Sequence, residues 1–471
     1  MQALQNYDLL SSDTHAMDQL HAFLRQRRAA HAPVEALDAF AQELHRLLVA
    51  AEREALSHEL ARFDLDVPTV EVDGARCPRV LRCATTYTSA AGPVRVTRSF
   101  YRYPQGGHAV CPLERRAGII EGSWTPLAAK QATWVVAHLT PQEGEELVDL
   151  WGNMTPSQST LDRLPKALSG PWERQRPQLE ATLRHQETVP HEAVTLAVSL
   201  DGVMAPMKDG QRQGKRQQAR AKGQTPSGPA GYQEGGCATV SYDDRDGERL
   251  CTRRLARMPE SNKATLKSQL TAEVMQALIQ RPDLPVVKVA DGAPDNWSYL
   301  GETLPLGGEV RDFYHATEHL GAALGAAYGE GTLPYQERWE TLRTVLRDAP
   351  QGVDKVIGTL ERLRTRYPRR QTIHKALASC REHRHRMRYA DLQARNFPIG
   401  SGVVEAACKT LVSQRLKRAG MRWRTEGGQA ILTFRALCQS ARFERAWPLV
   451  VQMYQRSVSL PQKVIAFSKR R

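Results

Sequence analysis

No run of this chain approaches the roughly 18 consecutive apolar residues that a membrane span requires, so no membrane-crossing helix is expected. The start, MQALQNYDLLSSD, lacks the basic opening and apolar core of a secretory leader. Cysteine is sparse: eight residues, at 77, 83, 111, 237, 251, 380, 408 and 438, lie scattered along the chain. That usage argues against a disulfide framework and for a reducing, cytoplasmic setting. Acids are short of bases, with 51 Asp and Glu against 65 Lys and Arg, a net charge of +14. Such a surplus favours polyanionic partners, because each phosphate contact releases condensed counterions. What remains is ordinary for a globular protein: 471 residues, 41% hydrophobic and 25% charged. That length is too great for one core and predicts about two to four domains.

Apolar residues recur at helical spacing over 17–63, with a break near Pro33, and predict a helical N-terminal region over 1–66. A small β-rich element with Gly turns follows over 67–124. Helix returns over 125–190. There "MTPSQSTLDRLPKAL" (154–168) reads as a Ser/Thr-rich start to a short helix, a candidate second helix of a helix-turn-helix DNA-binding region. From 191 to 315 the pattern turns α/β. "AVTLAVSL" and "LPVVKVA" are buried-strand runs, and a hairpin is expected around Arg245-Asp246-Gly247. The order is strand, hairpin, helix, strand, helix, strand, helix. Residues 316–396 are helical and arginine-rich, an all-α insertion, and 397–471 return to helix. The stretch 207–235 reads as a Gly/Gln/basic loop with little to bury.

Two acids share one setting. Asp201 and Asp291 each follow an apolar strand and precede Gly, and ligands gather at the carboxyl ends of strands in open α/β sheets. An Asp-Gly pair taken singly makes only a tight turn. With Glu405 at the start of a late helix, the pair becomes a candidate oxygen-ligand site for hard divalent cations such as Mg2+. Downstream, 406–424 contains no acid but six bases, Lys409, Arg415, Lys417, Arg418, Arg422 and Arg424, with Trp423 between two of them. Phosphate-binding cations beside an aromatic able to stack on a base suit DNA near a cleavage site. The competing reading is a solvated basic helix face, with Glu405 and Lys409 as a stabilising i,i+4 pair.

The element order, with acids after the first and fourth strands and on the last helix, resembles the RNase H-like fold of DDE transposases and integrases. "SLDGVMAPM", "GERL…RMPE…TLKSQL", "VVKVADGAPDNW", "DFYHATEHL" and "FPIGSGVVEAACKTLVSQRLKRAGMRW" together resemble bacterial insertion-sequence transposases of the ISKra group over about residues 195–440. The resemblance implies an α/β RNase H-like catalytic core, a mixed five-stranded sheet with flanking helices interrupted by the all-α insertion. It also implies Asp201, Asp291 and Glu405 as the catalytic, metal-binding triad for two Mg2+ ions, with Mn2+ as a substitute. Asp312 and His315 match a signature thought to support such sites, and His319 lies on the same helix face. Double-stranded DNA, transposon ends and target, is the implied partner, bound by a homodimer or larger assembly. Relatives carry a zinc-ribbon-like cysteine pair near "SFYRYPQGGHAVCPLE". Here only Cys77, Cys83, His108 and Cys111 could supply one, at irregular spacing, so zinc is not expected. Three rivals remain: a structure-specific nuclease or resolvase on the same fold, a non-catalytic DNA-binding regulator, and a two-carboxylate glycan hydrolase.

Overall fold

The computed structural model describes residues 15–28, 37–208, 219–223 and 231–461. Much of the expected basic loop, 209–218 and 224–230, lies outside the described residues, as do parts of the N-terminal helical region. The chain is mixed α/β and divides into two units, residues 1–174 with 444–471 and residues 175–443. Among the described residues no helix is long and apolar enough to cross a membrane.

In the first unit, α1 (Ala16–Arg28) and α2 (Leu37–Ala61) pair through Phe23 stacked on Phe40 at 5.4 Å. Glu54 of α2 accepts the Ala16 N–H at 2.7 Å, which satisfies one of the open donors at the start of α1. Strands β1 (Thr69–Val72), β2 (Ala75–Ser89) and β3 (Gly92–Tyr101) form an antiparallel meander. The two-residue strand Val458–Ser459 adds itself antiparallel to β1. Helices α3 (Pro112–Ala117), α4 (Pro126–His138) and α5 (Pro141–Trp151) follow. The expected short helix after Thr155 is instead a 28-residue helix, α6 (Gln158–His185). It continues through Pro165, Pro171 and Pro177, each of which removes a backbone donor. Burial of Leu161, Leu164, Leu168, Trp172, Leu179 and Leu183, spaced three to seven residues apart, holds it together.

The second unit is built on a five-stranded mixed sheet of β4 (Thr195–Pro206), β5 (Tyr232–Asp243), β6 (Arg249–Arg257), β7 (Val286–Ala290) and β8 (Gly308–Arg311). Its spatial order is β6-β5-β4-β7-β8. The first three strands form an antiparallel meander, while β7 lies parallel to β4 and β8 parallel to β7. Parallel neighbours need crossovers, supplied by α7 (Ala264–Gln280) and α8 (Pro294–Glu302). These pack on one face of the sheet, against Leu196, Val198, Leu200, Ala238 and Val240.

The opposite face carries α9 (Phe313–Tyr328), α10 (Leu333–Asp348), α11 (Gly352–Arg366), α12 (Gln371–Glu382) and α13 (Tyr389–Gln393). This helical block shares one core with the sheet through Val287, Val289 and Val310. Beside it lie α14 (Gly402–Ala407), a π-helical turn over Cys408–Ser413, and α15 (Thr425–Gln439), packed on Val203, Ala205, Cys237 and Met258.

Past α15, Arg442 is 4% exposed and forks onto two buried carboxylates, Glu187 and Glu273, with Nη2 at 2.7 Å from each. Arg253 adds a second cation at 2.9 Å from Glu187. Breaking a buried pair strands its carboxylates, so Arg442→Ala is expected to cost about 3–5 kcal/mol. Urea unfolding of the full chain reads this as an earlier transition of the second unit.

Candidate functional site

Register explains how two acids 90 residues apart in sequence come together. The parallel pairing of β4 and β7 ends at Ser199 opposite Val289. Asp201 lies two residues further along β4, where strand alternation puts it on the face shared with α14, and Asp291 follows one residue past the end of β7, close enough for its charge to act on Asp201. Asp201 was expected at a strand end, but it lies within β4, which runs on to Pro206 because β5 pairs with it along its whole length. Gly202 makes no turn there. The Glu234 side chain from the neighbouring strand lies over it and pairs with Lys263 at 2.7 Å.

Asp201 Oδ1 accepts the Gly202 N–H at 2.6 Å, and Oδ2 accepts the Cys408 thiol at 3.7 Å. Burial holds its carboxyl above the usual range, and the charge of Asp291 adds to that. The Gly202 N–H, the Cys408 thiol and Lys263 pull the other way. Asp291 Oδ1 accepts the Ala293 N–H at 3.0 Å and the Asn296 amide at 3.4 Å. The same Asn296 amide reaches the Leu200 carbonyl at 3.4 Å and so bridges the two strands beside the acids. Trp297 fixes the turn by donating its indole N–H to the Asp291 carbonyl at 2.6 Å.

Glu405 sits in the first turn of α14, exposed, and Oε1 accepts the Ser401 hydroxyl at 2.6 Å. One turn on, Cys408 reaches Asp201, so this helix carries Glu405 past the β4 acid. The π-helical turn starts at Cys408 and lets Cys408, Leu411 and Val412 all face the sheet core. Asp312, fully buried, caps α9 by accepting the His315 N–H, and its other oxygen accepts the Ser401 N–H at 2.5 Å. Asp312, Ser401 and Glu405 thus form one hydrogen-bonded chain. The His315 ring meets His319, Nε2 to Nε2 at 3.2 Å, with Glu318 at 3.5 Å from Nδ1. Burial, with Arg311 and His315 beside it, lowers the His319 pKa.

Of the basic arm, Lys409, Arg422 and Arg424 are exposed, and Lys417 and Arg418 are half-buried. Arg415 was expected to face DNA, but it is only 1% exposed and lies 5.5 Å from the Trp423 ring centroid. Trp423 is likewise committed to the fold. Its indole N–H binds the Leu416 carbonyl at 2.9 Å, and its backbone bonds Pro206 and Lys208 at the end of β4. The ring is thus tied to Leu416 and covered on one side by Arg415, while the Trp423 backbone holds the strand end.

The donors, Asp201 within β4 and Asp291 just past β7, are carboxylate oxygens, the set that suits a hard divalent cation. Burial of Asp201 beside Asp291 leaves negative charge that a cation would offset. Among the described residues, however, no group of three or more His, Cys, Asp or Glu draws together closely enough to hold a metal ion. Glu405 is engaged by Ser401 instead. Elsewhere, Cys77 and Cys111 lie in two different apolar clusters, Cys83 is half-buried and His108 is exposed.

Sequence reasoning missed Asn296, Ser401 and Cys408. Each stands inside a quoted motif, but its role appears only once the strands are paired. Compared with protein-family profiles and with curated proteins, the chain matches none.

An acid whose folded-state pKa is raised costs stability once pH exceeds its unfolded value, 3.8 for Asp201. Asp201→Asn is therefore expected to melt higher than the parent at pH 7 in metal-free buffer. The gap should close as pH falls towards about 4. Thermal midpoints across that range check the sign.

Proposed function

We propose that this chain is a DDE transposase with an RNase H-like catalytic core, similar to the ISKra group, that cuts and joins DNA strands at transposon ends. The observation that carries the reading is the parallel β4–β7 register, which brings Asp201 within electrostatic reach of Asp291, with the Glu405 helix packed on the Asp201 face of β4. The sheet order supports it too: an antiparallel three-strand meander followed by two parallel strands on the far side of its first strand.

On this reading Asp201, Asp291 and Glu405 would hold Mg2+ or Mn2+, the cation drawing together carboxylates that do not cluster without it. Such cations would supply Lewis acidity for the attacking and departing oxygens. The residues around them do the positioning. Asn296 fixes Asp291 against β4, the Cys408 thiol and Gly202 N–H orient Asp201, and the Asp312–Ser401 pair sets Glu405. Exposed Lys409, Arg422 and Arg424 hold flanking phosphates. No side chain forms a covalent link to DNA. Joining two ends calls for two copies of the chain, so the active assembly is a homodimer or larger, working in the bacterial cytosol.

The test is cleavage and strand transfer on DNA from the inverted repeats flanking the coding sequence, with Mg2+ or Mn2+. Asp201→Asn, Asp291→Asn and Glu405→Gln should each bind this DNA and fail to cut it. Full cutting by any one of the three would sink the assignment. Cutting directed by DNA shape without joining would favour a resolvase, and binding without cutting by the parent would favour a regulator.

Ser401→Ala should lower the cleavage rate by about 10- to 100-fold while DNA affinity stays unchanged, the scale seen when a ligand's hydrogen-bond partner is removed. Single-turnover cleavage alongside a binding titration separates the two effects.

A further inference from the structure

In "DFYH", neighbouring aromatics point to opposite environments. Phe313 is 2% exposed in the core of the second unit, whereas Tyr314, in the first turn of α9, is 56% exposed. The Tyr314 ring lies against Gly400. A methyl group at 400 would come within 2.9 and 3.1 Å of two ring carbons, so glycine is what lets the ring rest there. The same methyl position is 3.7 Å from Asp312 Oδ2. The next residue, Ser401, binds both Asp312 and Glu405. The ring is therefore backed by the turn that sets Glu405 and meets Phe313 edge to face at 5.6 Å, with more than half of its surface left in water. Arg347, in the last turn of α10, pairs with Asp348 through two hydrogen bonds at 2.7 and 2.8 Å and lies within electrostatic reach of the Tyr314 phenol, and Arg343 lies over the Phe313 ring at 5.8 Å. An exposed ring backed by fixed backbone, beside a carboxylate and with cations nearby, has the makings of a base-stacking platform.

The geometry points to Tyr314 as a stacking site for one unpaired nucleobase of the DNA strand held at the carboxylates. This rests on the DNA-cutting reading above and adds to it a residue that recognises an open base. Every base has a π-face, so the site accepts all four. The contact belongs to the ring and not to the hydroxyl.

The experiment uses the full chain without divalent metal, at one fixed salt concentration, with Tyr314→Ala, Tyr314→Phe and Tyr314→Trp. The probes are an end duplex with an unpaired overhang carrying 2-aminopurine and a blunt duplex with 2-aminopurine in its terminal pair. Stacking quenches the probe. Tyr314→Ala should bind the overhang about 5- to 150-fold more weakly and lose the quench, while Phe and Trp retain both. Quenching in the overhang alone means a base already unpaired is taken. Quenching in both means a base is also drawn from the duplex end, and either supports the site. Overhang binding and quenching by Tyr314→Ala equal to the parent's, with thermal midpoints matched, would overturn it. A parent that binds neither probe would instead overturn the DNA reading beneath it.

Discussion

Asp201 and Asp291 repel each other, and the parallel pairing of β4 with β7 keeps them side by side. The energy for that comes from the opposite face. Leu196, Val198 and Leu200 of β4, with Val286 and Ala290 of β7, are buried under α7 and α8. Full burial of the leucines and valines among them contributes about 1.5–3 kcal/mol each, enough to hold the register against one like-charge contact. Most of what surrounds the two acids moderates that contact. The Gly202 N–H, the Cys408 thiol and Lys263 favour the charge of Asp201, and the Asn296 amide shares one donor group between Asp291 and the β4 backbone. The sheet supplies the carboxylates and the Gly202 N–H, while Cys408 and Asn296 reach them from the helical segments.

Much of this was legible in the chain text. Continuous apolar runs such as "AVTLAVSL" and "LPVVKVA" mark strands covered on both faces, and the acid after each run stands out because nothing in the run prepares for it. The extent of β4 beyond Asp201 was not legible. Its outer half is stabilised by β5, some 30 residues on, across a stretch that reads as loop. Ser401 in "GSG" looks like a helix start, and only the approach of Asp312 from β8 makes it the link to Glu405.

The basic arm shows a different limit. Six cations and an indole in 16 residues read as a surface for DNA, yet composition does not say which of them turn inward. Arg415 and Trp423 are drawn in because the end of β4 needs a backbone partner, and Trp423 supplies it at Pro206 and Lys208. The three prolines of α6 mislead in the opposite direction. Locally each argues for a break, at roughly 3 kcal/mol in a helix interior. The apolar stripe from Leu161 to Leu183 outweighs them, and its weight is known only from what it packs against.

The strand Val458–Ser459 has a consequence for the order in which the protein is made. The first unit needs the chain's far end: β1 pairs with this strand, the Arg456 N–H binds the Arg115 carbonyl, and Trp447 donates to the Pro126 carbonyl. These contacts of the first unit can form only after the whole second unit has been synthesised. At about 5–20 residues per second that wait is on the order of tens of seconds, during which the outer edge of β1 has no closing partner. The second unit is continuous in sequence and leaves the ribosome complete before the unit that precedes it.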